Sequence, residues 1–141
     1  RVQTQQGSPS KVIESVKEEL GNSQPELVAL IQKGIDSSQE DDETAIRSYG
    51  EKKTFGNNTI FTGKACPIAG ALPASIHFII KYENDIEDGL IKDVAVGGDQ
   101  AARNLVIASV LGSQQNAKVP ERWSQKLTKY QEIERIIDSL Q

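Results

Sequence analysis

The residues best suited to chemistry gather in a few places. Gly97-Gly98-Asp99 is followed by Arg103 four positions on. A carboxylate directly before an apolar run suits either a metal ion or the cap of the next helix. Capping is the favoured reading of Asp99, with the amides of Gln100 to Ala102 as donors. Arg103 would bind a phosphate or carboxylate, or stand as an exposed or ion-paired helix residue, and the second is favoured. Gly63 and Lys64 would bring an amide and an ammonium to a ligand phosphate. No Gly-x-x-x-x-Gly-Lys pattern surrounds them, so a plain turn is favoured. Cys66 would be a nucleophile if Lys64 lowered its pKa. With no second histidine to form a Cys–His pair, a buried or inert thiol is favoured. His77 lies in an apolar segment, where a core histidine with one satisfied nitrogen is expected before a general base. The run Glu40-Asp41-Asp42-Glu43 lacks EF-hand spacing and reads as a solvated helix start. Trp123 reads as core before it reads as a stacking platform.

Helices must position these residues. Ser8-Pro9 looks like an N-cap with proline at the first helical position, and Ile13, Val16 and Leu20 follow at helical spacing. Ser23 and Glu26 match a capping box before Leu27, Leu30, Ile31 and Ile35. The acidic run opens a short third helix through Arg47. From Tyr49 to Cys66 the pattern fails, and Gly50, Gly56-Asn57-Asn58 and Gly63 predict an ordered loop with one strand-like stretch, Thr59 to Thr62. Ile68 to Tyr82 is apolar nearly all round and predicts a buried helix, which Pro73 either begins or kinks. Asn84 and Glu87 match a second capping box. After Gly97-Gly98, Ala101 to Gly112 predicts a second helix buried on all sides. Asn116 is a candidate left-handed residue, and Val119-Pro120 marks a turn. Trp123, Leu127, Tyr130, Ile133, Ile137 and Leu140 trace one face of a final helix.

The sum is an all-α fold of seven or so helices, compact, with two central buried helices. Residues 1–7 are expected to be flexible and 8–141 to form a single helical domain. The 141 residues are 37% hydrophobic and 26% charged, enough for a packed core. A net charge of −4 with no basic cluster removes the electrostatic driver of non-specific nucleic-acid binding. No apolar run reaches the length of about 18 residues that a membrane span needs. One cysteine excludes an internal disulfide framework and fits a cytoplasmic setting. The flanking amphipathic helices supply only part of the cover that the two apolar helices need. The chain is therefore expected to self-associate or to need an N-terminal segment of a parent protein.

The stretch from Val94 to Trp123, VAVGGDQAARNLVIASVLGSQQNAKVPERW, resembles the C-terminal signature of the ADP-ribosylglycohydrolase family. That signature reads Gly-Gly-Asp-x-Asp-Thr, a buried Ala/Gly-rich helix, a turn, then Ile-Pro-x-x-Trp. Gly97, Gly98 and Asp99 match its opening, Gly112 its late small residue, and Val119, Pro120, Glu121, Arg122 and Trp123 its end. The resemblance extends back through Gly63 to Cys66 and Leu72 to Phe78, and forward to about Leu140. It implies an all-helical domain about twice this length, of which this chain would be the C-terminal half. It also implies release of ADP-ribose from protein side chains or related compounds. Two magnesium ions would be held by carboxylates and a threonine from both ends of the domain.

The chain departs from the pattern at the metal positions. Where active relatives carry Asp and Thr, it carries Ala101 and Ala102, and alanine offers magnesium no oxygen. Arg103 adds a positive charge beside them. No metal is expected, with Asp99 a vestige of the site. This variant is similar to the J-crystallin and selenoprotein J branch, whose members carry the fold and are not known as robust hydrolases. The primary expectation is a catalytically degenerate ADP-ribosylglycohydrolase-like protein, structural (crystallin-like) or ligand-binding. An ADP-ribose-like small molecule is the implied ligand, and Gly97, Gly98, Asp99, Arg103 and Lys64 are the candidate contacts. The rival is a magnesium-dependent hydrolase completed by residues of a missing N-terminal half. A third reading is a helical interaction module.

Overall fold

The structure is a computed structural model that describes residues 7–50, 52–55, 58–61, 64, 66–114 and 117–139. Eight α-helices carry the described chain: α1 (Pro9–Leu20), α2 (Pro25–Asp36), α3 (Asp42–Ser48), α4 (Ile68–Lys81), α5 (Ile86–Val96), α6 (Gln100–Gly112), α7 (Glu121–Ser124) and α8 (Tyr130–Asp138). Short 3-10 turns at Gly21–Ser23 and Ser37–Gln39 flank α2. The all-α expectation holds, with one addition. Lys52–Phe55 (β1) and Asn58–Phe61 (β2) pair antiparallel, Lys52 opposite Phe61 and Phe55 opposite Asn58. The strand-like stretch is thus half of a hairpin within what the sequence presents as a loop. The expected flexibility of residues 1–6, the left-handed Asn116 and the positions of Gly63 and Leu140 lie outside the described residues.

Helix α4 is the centre. Gly70 and six consecutive residues from Pro73 to Phe78 are buried, as is Ile79. Pro73 neither begins the helix nor ends it; α4 runs through it, giving up one amide donor. Helix α2 approaches closely because of Gly34. A Cβ there would lie 2.7 Å from Ile76 Cβ and 2.7 Å from the Pro73 carbonyl oxygen. Ile46, Ala74, Phe78, Ile79, Ile107 and Leu111 form the heart of the core. Each large aliphatic or aromatic side chain among them contributes about 1.5–3 kcal/mol relative to exposure.

Two capping boxes form differently from the sequence reading. Helix α2 starts after Gln24, with no side-chain cap, and Ser23 Oγ instead donates to the Leu20 carbonyl. Helix α5 starts one residue later than the pattern placed it, with Asp85 as cap accepting from the Asp88 amide at 3.0 Å. Asp, with an ionised acceptor, outcompetes the neighbouring Asn84 for the positive end of the helix. The acidic start of α3 holds: Asp41 caps it, accepting from the Thr44 amide at 3.0 Å.

Helix α6 is the main correction. It packs on α4 and α5, but buries only Arg103, Ile107 and Leu111. Leu105 is 72% exposed and Val106 47%. An apolar sequence on every face describes composition, and burial of the outer face needs a neighbour that these residues do not provide. The final helix is also divided. Gln125 to Lys129 separate α7 from α8, no residue of α8 is buried, and Trp123 is half-buried where a core position was expected.

Candidate functional site

The five sequence-derived contacts converge on the turn between α5 and α6. Gly97 ends α5 with φ 78°, its amide donating to the Asp93 carbonyl at 3.3 Å and the Val94 carbonyl at 3.1 Å. Gly98 follows at φ 79° and presses on the segment before α4: a Cβ there would lie 2.1 Å from the Lys64 carbonyl oxygen. No side chain fits that gap, so glycine is required here by both conformation and space. The Asp99 amide donates to the same Lys64 carbonyl at 2.9 Å.

Arg103 lies beneath this turn, 2% exposed. Its Nε donates to Asp93 Oδ1 at 2.6 Å, Nη2 to the Gly97 carbonyl at 2.7 Å and Nη1 to the Lys64 carbonyl at 3.3 Å. One guanidinium therefore ties α5, α6, the turn and the segment before α4. The exposed alternative in the sequence reading falls, and the ion-paired one holds in buried form. Burial pushes the Asp93 carboxyl above the usual carboxylate range, and Arg103 only partly offsets it. Asp93 Oδ2 has no hydrogen-bond partner among the described residues.

Lys64 is equally engaged. Its Nζ donates to Glu43 Oε1 at 2.7 Å and Oε2 at 2.9 Å, and to the Val96 carbonyl at 2.9 Å. Glu43, which also accepts from Arg47 Nε at 2.6 Å, is held below the usual range first by Lys64. Asp99 precedes α6 but its side chain makes no cap bond. The Asp99 carboxylate instead acts on Cys66, whose thiol pKa it raises. Cys66 is exposed, so of the buried or inert thiol expected from the sequence the buried alternative falls. It is also held protonated, which disfavours nucleophilic use. Ala101 and Ala102 sit on the exposed face of the first turn of α6.

These groups fit magnesium poorly. That ion takes near-octahedral oxygen coordination. Around the turn both oxygens of Glu43 and Oδ1 of Asp93 are bonded to cationic side chains, and Asp93 Oδ2 is buried. Positions 101 and 102 present methyl groups. Among the described residues, no three His, Cys, Asp or Glu side chains are placed to hold a metal ion together.

A second polar cluster joins α3 to α4. His77 is fully buried; its Nε2 lies 3.0 Å from Asp42 Oδ1 and its Nδ1 3.3 Å from Ser37 Oγ. Ser37 Oγ also bonds to Tyr49 Oη and the Gly34 carbonyl. Asp42 accepts in addition from Lys81 Nζ at 2.7 Å and Tyr82 Oη at 2.8 Å. Burial raises the Asp42 pKa, but the bonds from Lys81, His77 and Tyr82 outweigh it and hold the carboxyl below its ordinary range. Burial also sends Tyr49 up to about 12. The Ser–His–Asp order suggests nucleophilic catalysis. Ser37 is itself buried, however, and its oxygen is shared among three partners, so the cluster reads as a core network. His77 is the core histidine the sequence predicts, with both nitrogens engaged.

Compared with known proteins, residues 3–141 match the family model described as ADP-ribosylglycohydrolase. The chain belongs to the ADP-ribosylglycohydrolase family. Neither the curated proteins nor the solved structures contain a significant match to it. The family match covers the first half of the chain as well as the second, whereas the sequence motifs cover chiefly the second. In an ADP-ribosylglycohydrolase the turn before α6 is the part of the fold that the sequence resemblance links to the metal centre. In this chain the Arg103 guanidinium lies buried beneath that turn. Asp93 carries no sequence signal of its own, and Glu43 is legible only as part of the acidic helix start. Asp93 lies ten residues before Arg103, and only the sharp Gly97-Gly98 reversal brings them together.

Proposed function

We propose that this ADP-ribosylglycohydrolase-family chain is catalytically degenerate and serves as a structural, crystallin-like, or ligand-binding domain. The observation that carries the reading is the first turn of α6. Ala101 and Ala102 stand where the resemblance calls for ligand oxygens, and Arg103 already supplies a positive charge to the Gly97 carbonyl at 2.7 Å. A buried guanidinium and a divalent cation would repel each other strongly in a low-dielectric site. Likeness to the J-crystallin and selenoprotein J branch belongs to the same proposal, as does a cytoplasmic location. Among the described residues no helix is long and apolar enough to cross a membrane. The exposed outer face of α6 supports reading residues 8–141 as the C-terminal half of a larger helical domain. An ADP-ribose-like molecule remains the proposed ligand, bound at the exposed edge of the Gly97–Asp99 turn and not by Lys64 or Arg103.

The test incubates the chain with ADP-ribosylated protein and magnesium, and measures free ADP-ribose. No release above the protein-free control is expected. Release that depends on magnesium and disappears in Asp99→Asn would favour the magnesium-dependent hydrolase instead. Calorimetric titration with ADP-ribose separates the ligand-binding form of the proposal, which predicts saturable heat, from the structural form, which predicts none.

A further inference from the structure

Three oxygens surround the buried guanidinium beneath the turn, and they come from three separate parts of the chain. Asp93 Oδ1 on α5 accepts from Nε at 2.6 Å, the Gly97 carbonyl from Nη2 at 2.7 Å and the Lys64 carbonyl from Nη1 at 3.3 Å. Each takes a different nitrogen, so the acceptors are spread along the edge of a planar ion. That spread suits a guanidinium, whose donors form a fixed fork. It does not suit a metal, whose oxygen ligands surround one point at about 2.0–2.6 Å. The neighbouring ammonium is already spent: Lys64 Nζ donates to Glu43 and to the Val96 carbonyl. One acceptor is left over. Asp93 is wholly buried, and its Oδ2 has no partner among the described residues.

We infer that the oxygens beneath the Gly97–Gly98 turn form a binding site for a guanidinium ion, which the chain fills with its own Arg103. Gly98 makes the site possible, since any Cβ there would lie 2.1 Å from the Lys64 carbonyl oxygen. The tether accounts for the remaining acceptor. Arg103 meets Asp93 through Nε alone, because its two outer nitrogens reach on to the carbonyls. A free guanidinium has no such tether, and can turn to bind both oxygens of the carboxylate in parallel. A buried carboxylate deprived of its cation is costly, so the site without its arginine draws a matching ion from solution. The inference deepens the degenerate-site reading and rests on it for one point, that no metal competes for these oxygens.

Chemical rescue tests it. Arg103→Ala should lower the thermal midpoint. Guanidinium chloride at tens of millimolar should then raise the midpoint saturably, by at least half of the loss. Such concentrations are far below the molar range in which this ion unfolds proteins, where its effect has the opposite sign. Equal sodium chloride should give no gain. Guanidinium should also give none in wild type, in Arg103→Met, where the longer side chain fills the space, or in Arg103→Ala with Asp93→Asn, which lacks the carboxylate. Should Arg103→Ala not fold alone, refolding from urea with and without guanidinium makes the same comparison, with a native far-ultraviolet circular dichroism signal expected only in its presence. No gain from guanidinium in either format would overturn the inference and leave the degenerate-site reading standing, as would a gain that sodium chloride gives equally. Rescue by magnesium chloride in place of guanidinium would overturn both.

Discussion

Arg103 and Asp93 meet at 2.6 Å with both side chains out of solvent, and the guanidinium spends its remaining donors on the Gly97 and Lys64 carbonyls. A buried ion pair of this kind is costly to break from one side, because the surviving charge has no partner. Arg103→Met should therefore lower unfolding stability by about 3–5 kcal/mol in urea titration. The double variant Arg103→Met, Asp93→Leu should recover part of that loss. A double variant less stable than Arg103→Met would show that the pair is not acting as a unit.

The two glycines of the same turn should respond differently. Gly97 and Gly98 both have positive φ, a backbone conformation that costs a residue with a Cβ about 1–3 kcal/mol. A Cβ at Gly97 meets nothing within 4 Å, whereas one at Gly98 would collide with the Lys64 carbonyl. Gly98→Ala should lower the thermal midpoint clearly more than Gly97→Ala. Equal losses would mean that Lys64 is not held against the turn.

Helical periodicity made the fold legible in the sequence, and the short gap Gly97-Gly98 placed the turn. The rest depended on tertiary partners. An apolar segment such as α6 looks the same whether its outer face is covered or bare, so the sequence alone places Leu105 and Val106 in a helix buried on all sides. The hairpin at Lys52–Phe61 is too short for a period-two pattern to stand out against Asn and Gly. At the candidate site, motif and charge type mark Gly97, Gly98, Asp99, Arg103 and Lys64. Their roles are not legible in the sequence, because Lys64 and Arg103 bond to Glu43 and Asp93 through contacts that no local spacing encodes.

The buried His77 predicts an acid limb in stability. Burial pushes its pKa below the ordinary 6.5, against the opposing pull of Asp42. The unfolded chain then binds the proton more readily than the folded one. This contribution is fully present above pH 6.5 and is lost as pH falls from there toward the folded value. Lowered Asp42 adds a second loss at more acid pH, through its own folded pKa. Urea midpoints at about pH 7.5 and about pH 5.5 should show a drop in wild type that is smaller in His77→Gln. An equal or larger drop in that variant would place the acid limb elsewhere.

Close packing of α2 on α4 gives a further check. Gly34→Ala would put a methyl 2.7 Å from both Ile76 Cβ and the Pro73 carbonyl, with backbone on one side unable to yield. Overpacking of this kind costs about 1–3 kcal/mol. Chemical denaturation should show a loss in that range. A Gly34→Ala variant as stable as wild type would mean that the two helices separate readily.

Calorimetric titration of the chain with magnesium is the sharpest check on the proposal that the turn before α6 holds no metal. Only the weak, unsaturating heat of an acidic surface is expected, unchanged in Asp99→Asn. Saturable, stoichiometric binding at micromolar magnesium, abolished by Asp99→Asn, would contradict it.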